Sequence, residues 1–462
     1  MRFLPWLPLA ALGCWLGAAC AGAQVEAPEA RPQGLDQAGL EALAAEIAPQ
    51  VAELRGLEFL RPVAVKVADR ESVARYTRER MDAMDSPAER LAAERLAKLL
   101  GLLPADFELE SFLVEFLNRQ AGGFYDPGRD TFYLLEGLDR SLASSVIAHE
   151  FVHALEDQHY DLGGLLEARR DDADQAAAVH ALLEGSALSI GNLWMSAHLG
   201  PGEMMAVARA AAEQSQGLFE APLAVWKPML CSYFQGLAFL RRLESPQQAL
   251  LRPLSLPDLE AAFARLPRST EQVLHPDKYW RAGAVDAPTA IDYRARAAAA
   301  VETWAGTPAE FRWLLEDTQG EAAIALLFDA DAKRSPKELE RLQSRLTFSN
   351  GVAAGWDGDR LVLFETAPGE NYLHWTSVWD SPAEAEQFRA AIAAEAKRQA
   401  AAGRALGAAL PGSAVRLEGA TVTFELWTSP AARPKDPALL FELEIRADPA
   451  QPQAPAADSE GR

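Results

Sequence analysis

Residues 149–153 read His-Glu-Phe-Val-His, inside a run from Ser141 to about His159 that contains neither Gly nor Pro. Such a run predicts a helix, with serines available to cap its start. Positions four apart share a helix face, so His149 and His153 can turn both imidazoles toward one zinc ion. Glu150 is rotated off that face and can hold a metal-bound water instead of the metal. The pattern also constrains the fold, because a catalytic zinc takes three protein ligands and one water. A second element must therefore pack against this helix and bring the third ligand. The plain alternative is a surface helix with two unrelated histidines.

Three sources compete for the third ligand. No glycine breaks the stretch from Ala154 to Gln158, so a continuous helix carries His159 about 15 Å along the axis from His149 and off its face. His159 then caps or hydrogen-bonds near the helix end. Glu184 lies in Leu182-Leu183-Glu184-Gly185-Ser186-Ala187, within a second predicted helix from about Asp172 to Ala197. Acidic residues in its first turn suit the helix dipole. The small residues after Glu184 allow this helix to approach the first closely, and the carboxylate can then span the gap to the ion. Glu184 is the favoured ligand, against a solvent-facing glutamate. Asp172 or Asp174 could serve instead, although an acidic run such as 171–174 more often marks a solvated helix start. His180, one turn before Glu184, either supports the site from behind or is a surface histidine.

Cysteine usage agrees with a His and carboxylate site. There are 3 cysteines, and Cys14 and Cys20 fall in what reads as a signal peptide over 1–23. That segment has one positive charge, an apolar run from Phe3 to about Ala19, and an A-x-A cleavage site before Gln24. It is too short and too interrupted by proline for a good membrane span. Gly17-Ala18-Ala19-Cys20 also resembles a lipoprotein cleavage box, which gives Cys20 as a possible lipid anchor; Leu16 stands one place too early, which favours plain secretion. Either way the mature chain is expected to be secreted, periplasmic or in the cell envelope. Cys231 alone remains, so no internal disulfide can form. The formal net charge of −22 argues against nucleic acid as a partner.

The chain reads as α+β. A linker over 24–34 leads to a mainly helical domain with a small sheet over 35–305. A smaller C-terminal α+β domain covers 318–447, and an Ala/Pro/Gln-rich tail covers 448–462. In the first domain, Pro62 to Val67 alternates like a strand. Gly122 to Leu135 reads as an aromatic hairpin around Asp126-Pro127-Gly128. In the second, strands are expected at 360–365, 373–379 and 420–427, with a helix from Pro382 to Ala401.

The run from Val146 to Leu162, V-I-A-H-E-F-V-H-A-L-E-D-Q-H-Y-D-L, resembles the motif helix of an uncharacterised group of secreted bacterial and archaeal gluzincin-like zinc metallopeptidases. The G-F-Y-D-P of the hairpin, L-L-E-G at 182–185 and S-T-E-Q-V-L-H-P at 269–276 are similar to the same group. So are G-W-D-G-D-R at 355–360 and V-W-D-S at 378–381. The resemblance implies a zincin-like catalytic domain with His149, His153 and Glu184 on zinc and Glu150 as base. It implies a peptide or protein substrate.

On that reading Glu150 takes a proton from the attacking water and passes it to the leaving amine. A hydrogen-bond donor must then steady the oxyanion. His275 or Tyr279, one turn apart in H-P-D-K-Y, are the expected donors. Tyr125 and Tyr233 follow, and a capping or core role is the alternative for each. Glu156 or Asp157 could orient a histidine, or face solvent. The hairpin could lend an edge strand to an extended peptide, or simply pack over the motif helix. Two other functions use the same residues: a non-catalytic cell-envelope binding protein with a zincin-like fold, and hydrolysis of a non-peptide amide. An intact Glu150 weighs against the first.

Overall fold

The computed structural model describes residues 34–214, 218–282, 285–295, 312–335, 338, 347–401, 412–434 and 441–446. The expected signal peptide with Cys20, the linker save Gly34, and the tail at 448–462 lie outside the described residues. The fold is α+β: a helical body with a small sheet, followed by a C-terminal sheet domain. Among the described residues no helix is long and apolar enough to cross a membrane.

The small sheet has strands β1 (Ala64–Ala68), β2 (Gly123–Asp126) and β3 (Thr131–Leu135) in the order β1-β3-β2. The expected hairpin forms as β2 antiparallel to β3, with Tyr125 opposite Phe132. β1 adds to the other side in parallel, Val65 opposite Phe132. That pairing joins segments far apart in sequence, which local patterning does not encode.

The motif helix spans Arg140–Tyr160. Asp139, not a serine, caps its start by accepting from the Leu142 amide at 3.0 Å. Ser144 and Ser145 instead donate back to the carbonyls of Arg140 and Leu142. Asp161 ends the helix in the left-handed region at φ 53°. Every residue from Leu142 to Val152 is buried, the polar Ser144, Ser145, His149 and Glu150 included, so this stretch lies in the core. The helix Gln37–Arg55 packs along it through Leu40, Ile47 and Val51.

The glutamate helix spans Ala173–His198, with Asp172 as its cap. Its small residues serve two contacts: Ser186 and Ala187 meet the motif helix as expected, while Gly185 faces another neighbour. Gly185 meets Gly236 on the helix Leu223–Phe239, where a Cβ on Gly185 would lie 2.2 Å from the Gly236 carbonyl carbon. A Cβ on Gly236 would lie 1.8 Å from the Ala181 oxygen, so these two helices cross with their backbones touching. The face toward the motif helix is marked by Ser186, which donates to Glu156 at 2.5 Å. Gly191 on the same face rests against His149.

The C-terminal sheet has five antiparallel strands in the order β5-β6-β7-β9-β8: β5 (Arg312–Asp317), β6 (Trp356–Ala367), β7 (Glu370–Trp379), β8 (Gly412–Glu418) and β9 (Thr421–Trp427). It therefore takes in a strand ahead of the expected start at 318. The helix Pro382–Ala401 covers one face, with Phe388 against Trp375 and Trp379. A separate ribbon pairs β4 (Ala290–Ala295) with β10 (Phe441–Arg446). A short cover helix, Gly320–Leu327, leaves the sheet domain and packs on the glutamate helix. Its N-terminal amides at Gln319 and Gly320 donate to the buried Asp359 carboxylate, which also accepts from the Trp356 and Trp375 indoles.

Candidate metal centre

Two helices bring three expected ligands together. Helical spacing sets the His149 and His153 rings 5.0 Å apart and nearly perpendicular. Glu184 reaches in from the facing helix, its Oε2 3.3 Å from His149 Nε2 and 3.6 Å from His153 Nε2. Both His149 Nε2 and Glu184 Oε2 are buried without a hydrogen-bond partner. Two atoms that each lie about 2.1 Å from one tetrahedral zinc stand about 3.4 Å apart. The spacing and the unpartnered atoms therefore fit a shared ion, and the donors, two imidazoles and a carboxylate, are those zinc prefers.

Glu150 also comes within 4.8 Å of both histidines. Its Oε2, however, accepts the Tyr125 backbone amide at 2.6 Å, while the unpartnered oxygen is on Glu184. Glu184, not Glu150, is thus the carboxylate with an oxygen left without a hydrogen-bond partner beside the two histidines. Burial drives the Glu150 carboxyl up to about 7, with His153 opposing and Glu184 reinforcing the rise. Burial likewise lowers His149. Burial would raise Glu184, but His153 and the contacts from His149 and His180 hold it well below the usual carboxylate range.

His180 supports the carboxylate from behind. Its Nε2 stands 3.2 Å from Glu184 Oε1 and its Nδ1 3.2 Å from the Ser232 hydroxyl. One oxygen of Glu184 thereby meets His180 while the other points to the motif histidines.

The remaining expected residues fall elsewhere. His159 ends the unbroken motif helix and bonds to the Glu58 carbonyl at 2.8 Å. Asp172 caps the glutamate helix, and Asp174 accepts from the Thr270 amide and hydroxyl. Burial and the neighbouring Asp172 hold the Asp174 carboxyl well above its ordinary range. Glu156 is paired with Arg55 at 2.6 Å, and Asp157 accepts from the Tyr125 hydroxyl and the Leu162 amide. Among the described residues neither is bonded to a histidine.

His275 and Tyr279 are likewise committed to other partners. His275 lies between Glu321 (2.9 Å) and Glu244 (3.2 Å). Burial opposes its charge, but these carboxylates raise it to about 9. The Tyr279 hydroxyl donates to the Arg265 carbonyl, and its ring packs on Phe239 and Trp280. A hydroxyl has one proton to give, so Tyr279 cannot also serve an oxyanion. Of the four donors expected from sequence, Tyr233 is the one whose ring lies beside a motif histidine, 5.9 Å from that of His149. Tyr125 contributes its backbone amide to Glu150, so that edge amide of β2 is not available to a peptide.

A family model described as a domain of unknown function (DUF8575) matches residues 312–431, the five-stranded sheet with its covering helix. No curated protein and no solved structure matches the chain.

Proposed function

We propose that the chain is a zinc-dependent metallopeptidase acting outside the cytoplasm. The observation that carries the reading is the pair of buried, unpartnered atoms His149 Nε2 and Glu184 Oε2, set at ligand spacing beside His153 and Glu150. A structural zinc site has no need of a carboxylate base next to its ligands, which favours chemistry over a purely structural ion. The leader at 1–23 supports export, with a lipid anchor at Cys20 as the variant of that reading.

A zinc ion bound here would supply Lewis acidity, lowering the pKa of a water and polarising a substrate carbonyl. The chain's own residues do the rest. His149, His153 and Glu184 would hold the ion, and His180, meeting the other oxygen of Glu184, would position that carboxylate. Glu150 accepts the proton of the attacking water and returns it to the departing amine nitrogen. The Tyr125 amide fixes Glu150 in place for both transfers.

The test is zinc content and cleavage of a diverse peptide library by residues 24–462, beside Glu150→Gln. One zinc per chain in both proteins, with cleavage only by the wild type, is the expected result. Zinc without cleavage would favour the cell-envelope binding protein. No zinc in either would overturn the metal site.

A further inference from the structure

Glu156 follows His153 by three residues on the motif helix and is fully buried. Its Oε1 accepts from two sides at once. Ser186, two residues after Glu184 on the glutamate helix, donates its hydroxyl at 2.5 Å. Arg55, the last residue of the helix Gln37–Arg55, donates through Nε at 2.6 Å. Arg55 Nη1 also donates to Glu260 on the helix Leu256–Ala264, and Glu260 accepts from the Tyr160 hydroxyl at 2.7 Å. One carboxylate oxygen thus ties the helix of His149 and His153 to the helix of Glu184, and Arg55 ties both to two further helices.

The node is a poor source of stability. A buried ion pair offsets its loss of water only when its remaining lone pairs and protons are also bonded. Here Glu156 Oε2 and Arg55 Nη2 are buried and have no hydrogen-bond partner. Apolar residues of similar volume often stabilise a core as well as such a pair, or better. Apolar packing is non-directional, however, and favours no particular atom-to-atom distance. A charge-assisted hydrogen bond is short and directional, so it fixes where one helix stands along the other.

That placement matters within one turn. Glu156 is about 4.5 Å along its helix from His153, and Ser186 about 3 Å along its helix from Glu184. Over so short a span a helix is stiff, and a slide at the Ser186–Glu156 contact reaches the ligands almost undiminished. Metal–ligand distances tolerate only about 0.2 Å, and a constellation held about 1 Å too loosely fails as a site. We propose that Glu156 is a positioning residue for the metal centre. Held by Arg55 and Ser186, it fixes the glutamate helix against the motif helix and so keeps Glu184 at ligand distance from His149 and His153. This rests on the metal centre of the proposed peptidase and adds Arg55, Glu156 and Ser186 to the residues that build it.

The experiment compares residues 24–462 as wild type, Ser186→Ala and Ser189→Ala. Both serines are fully buried on the glutamate helix. Ser186 bonds to the motif helix, whereas Ser189 donates to the Gly185 carbonyl at 2.6 Å and accepts from Arg241 at 2.7 Å. Zinc affinity is read by chelator competition, ligand geometry by the visible bands of the cobalt-substituted proteins, and folding by thermal unfolding without metal. Ser186→Ala is expected to bind zinc at least about 10-fold more weakly and to shift the cobalt bands. Ser189→Ala should keep the affinity and the bands of the wild type. Wild-type affinity and bands in Ser186→Ala would overturn the proposal. Equal losses in both variants would do so too, since Ser186 would then be scaffold only. Glu156→Gln keeps an accepting oxygen but not the charge, and should fall between Ser186→Ala and the wild type. It carries the test if Ser186→Ala does not fold, and wild-type affinity in it then overturns the proposal. A wild type that binds neither zinc nor cobalt would refute the metal centre itself, and with it any positioning of that centre.

Discussion

Glu184 Oε2 and His149 Nε2 face each other at 3.3 Å from two different helices, both buried and neither hydrogen-bonded. Leaving a buried polar atom unpartnered costs about 1–3 kcal/mol, and a shared ion removes that cost for both at once. Glu184→Ala is therefore expected to lower zinc affinity by about 100-fold or more, leaving the purified protein largely metal-free by elemental analysis. His159→Ala should keep its full zinc content, because His159 is tied to the Glu58 carbonyl at the helix end. Stoichiometric zinc in Glu184→Ala would move the third ligand elsewhere.

His180 gives a subtler prediction. It touches Glu184 through the oxygen not directed at the histidines of the motif, so it positions the carboxylate without holding the ion. His180→Phe should weaken zinc binding by about 10–100-fold in chelator competition, while zinc added in excess restores activity. Complete loss of metal even at high zinc would instead make His180 a ligand.

The carboxylate of Asp359 organises the C-terminal domain. It is 3 % exposed, accepts from two indoles and two backbone amides, and so joins β6, β7 and the start of the cover helix. Asp359→Asn replaces one accepting oxygen with a donor that faces other donors. The expected loss is about 2–4 kcal/mol of unfolding free energy, seen as a lower denaturation midpoint. An unchanged midpoint would show that these bonds contribute little.

Much of this arrangement could be read from sequence, for reasons visible in particular residues. The motif helix was marked by an unbroken run without Gly or Pro, and the hairpin by Asp-Pro-Gly between aromatic strands. Glu184 stood out because small residues follow it, yet Gly185 serves a different neighbour, Gly236. Sequence spacing reveals that a close approach exists but not which helix makes it. The oxyanion donors were harder still. His275 lies in the resemblance-bearing segment and Tyr279 just beyond it, but their partners Glu321, Glu244 and Arg265 are fixed only by tertiary packing. The conspicuous G-W-D-G-D-R segment gave no hint that its aspartate caps a helix from a distant part of the chain.

His374 makes acid stability testable. It lies 6 % exposed on β7, its Nδ1 3.1 Å from the Tyr372 hydroxyl. Burial, with help from the Arg416 charge, lowers its pKa to about 3 from an ordinary 6.5. A histidine depressed in the folded state stays neutral there while the unfolded chain takes up a proton. Its contribution is therefore fully present above pH 6.5 and is lost as pH falls toward 3. Two pH units below the unfolded value, the loss from this one residue is about 3 kcal/mol. His374→Gln keeps an acceptor for the Tyr372 hydroxyl but cannot titrate in this range. Denaturant unfolding of both proteins at pH 7.5 and pH 4.5 should show a smaller acid loss in the variant, whatever its stability at the higher pH. An equal loss in both would mean that other groups set the acid limit.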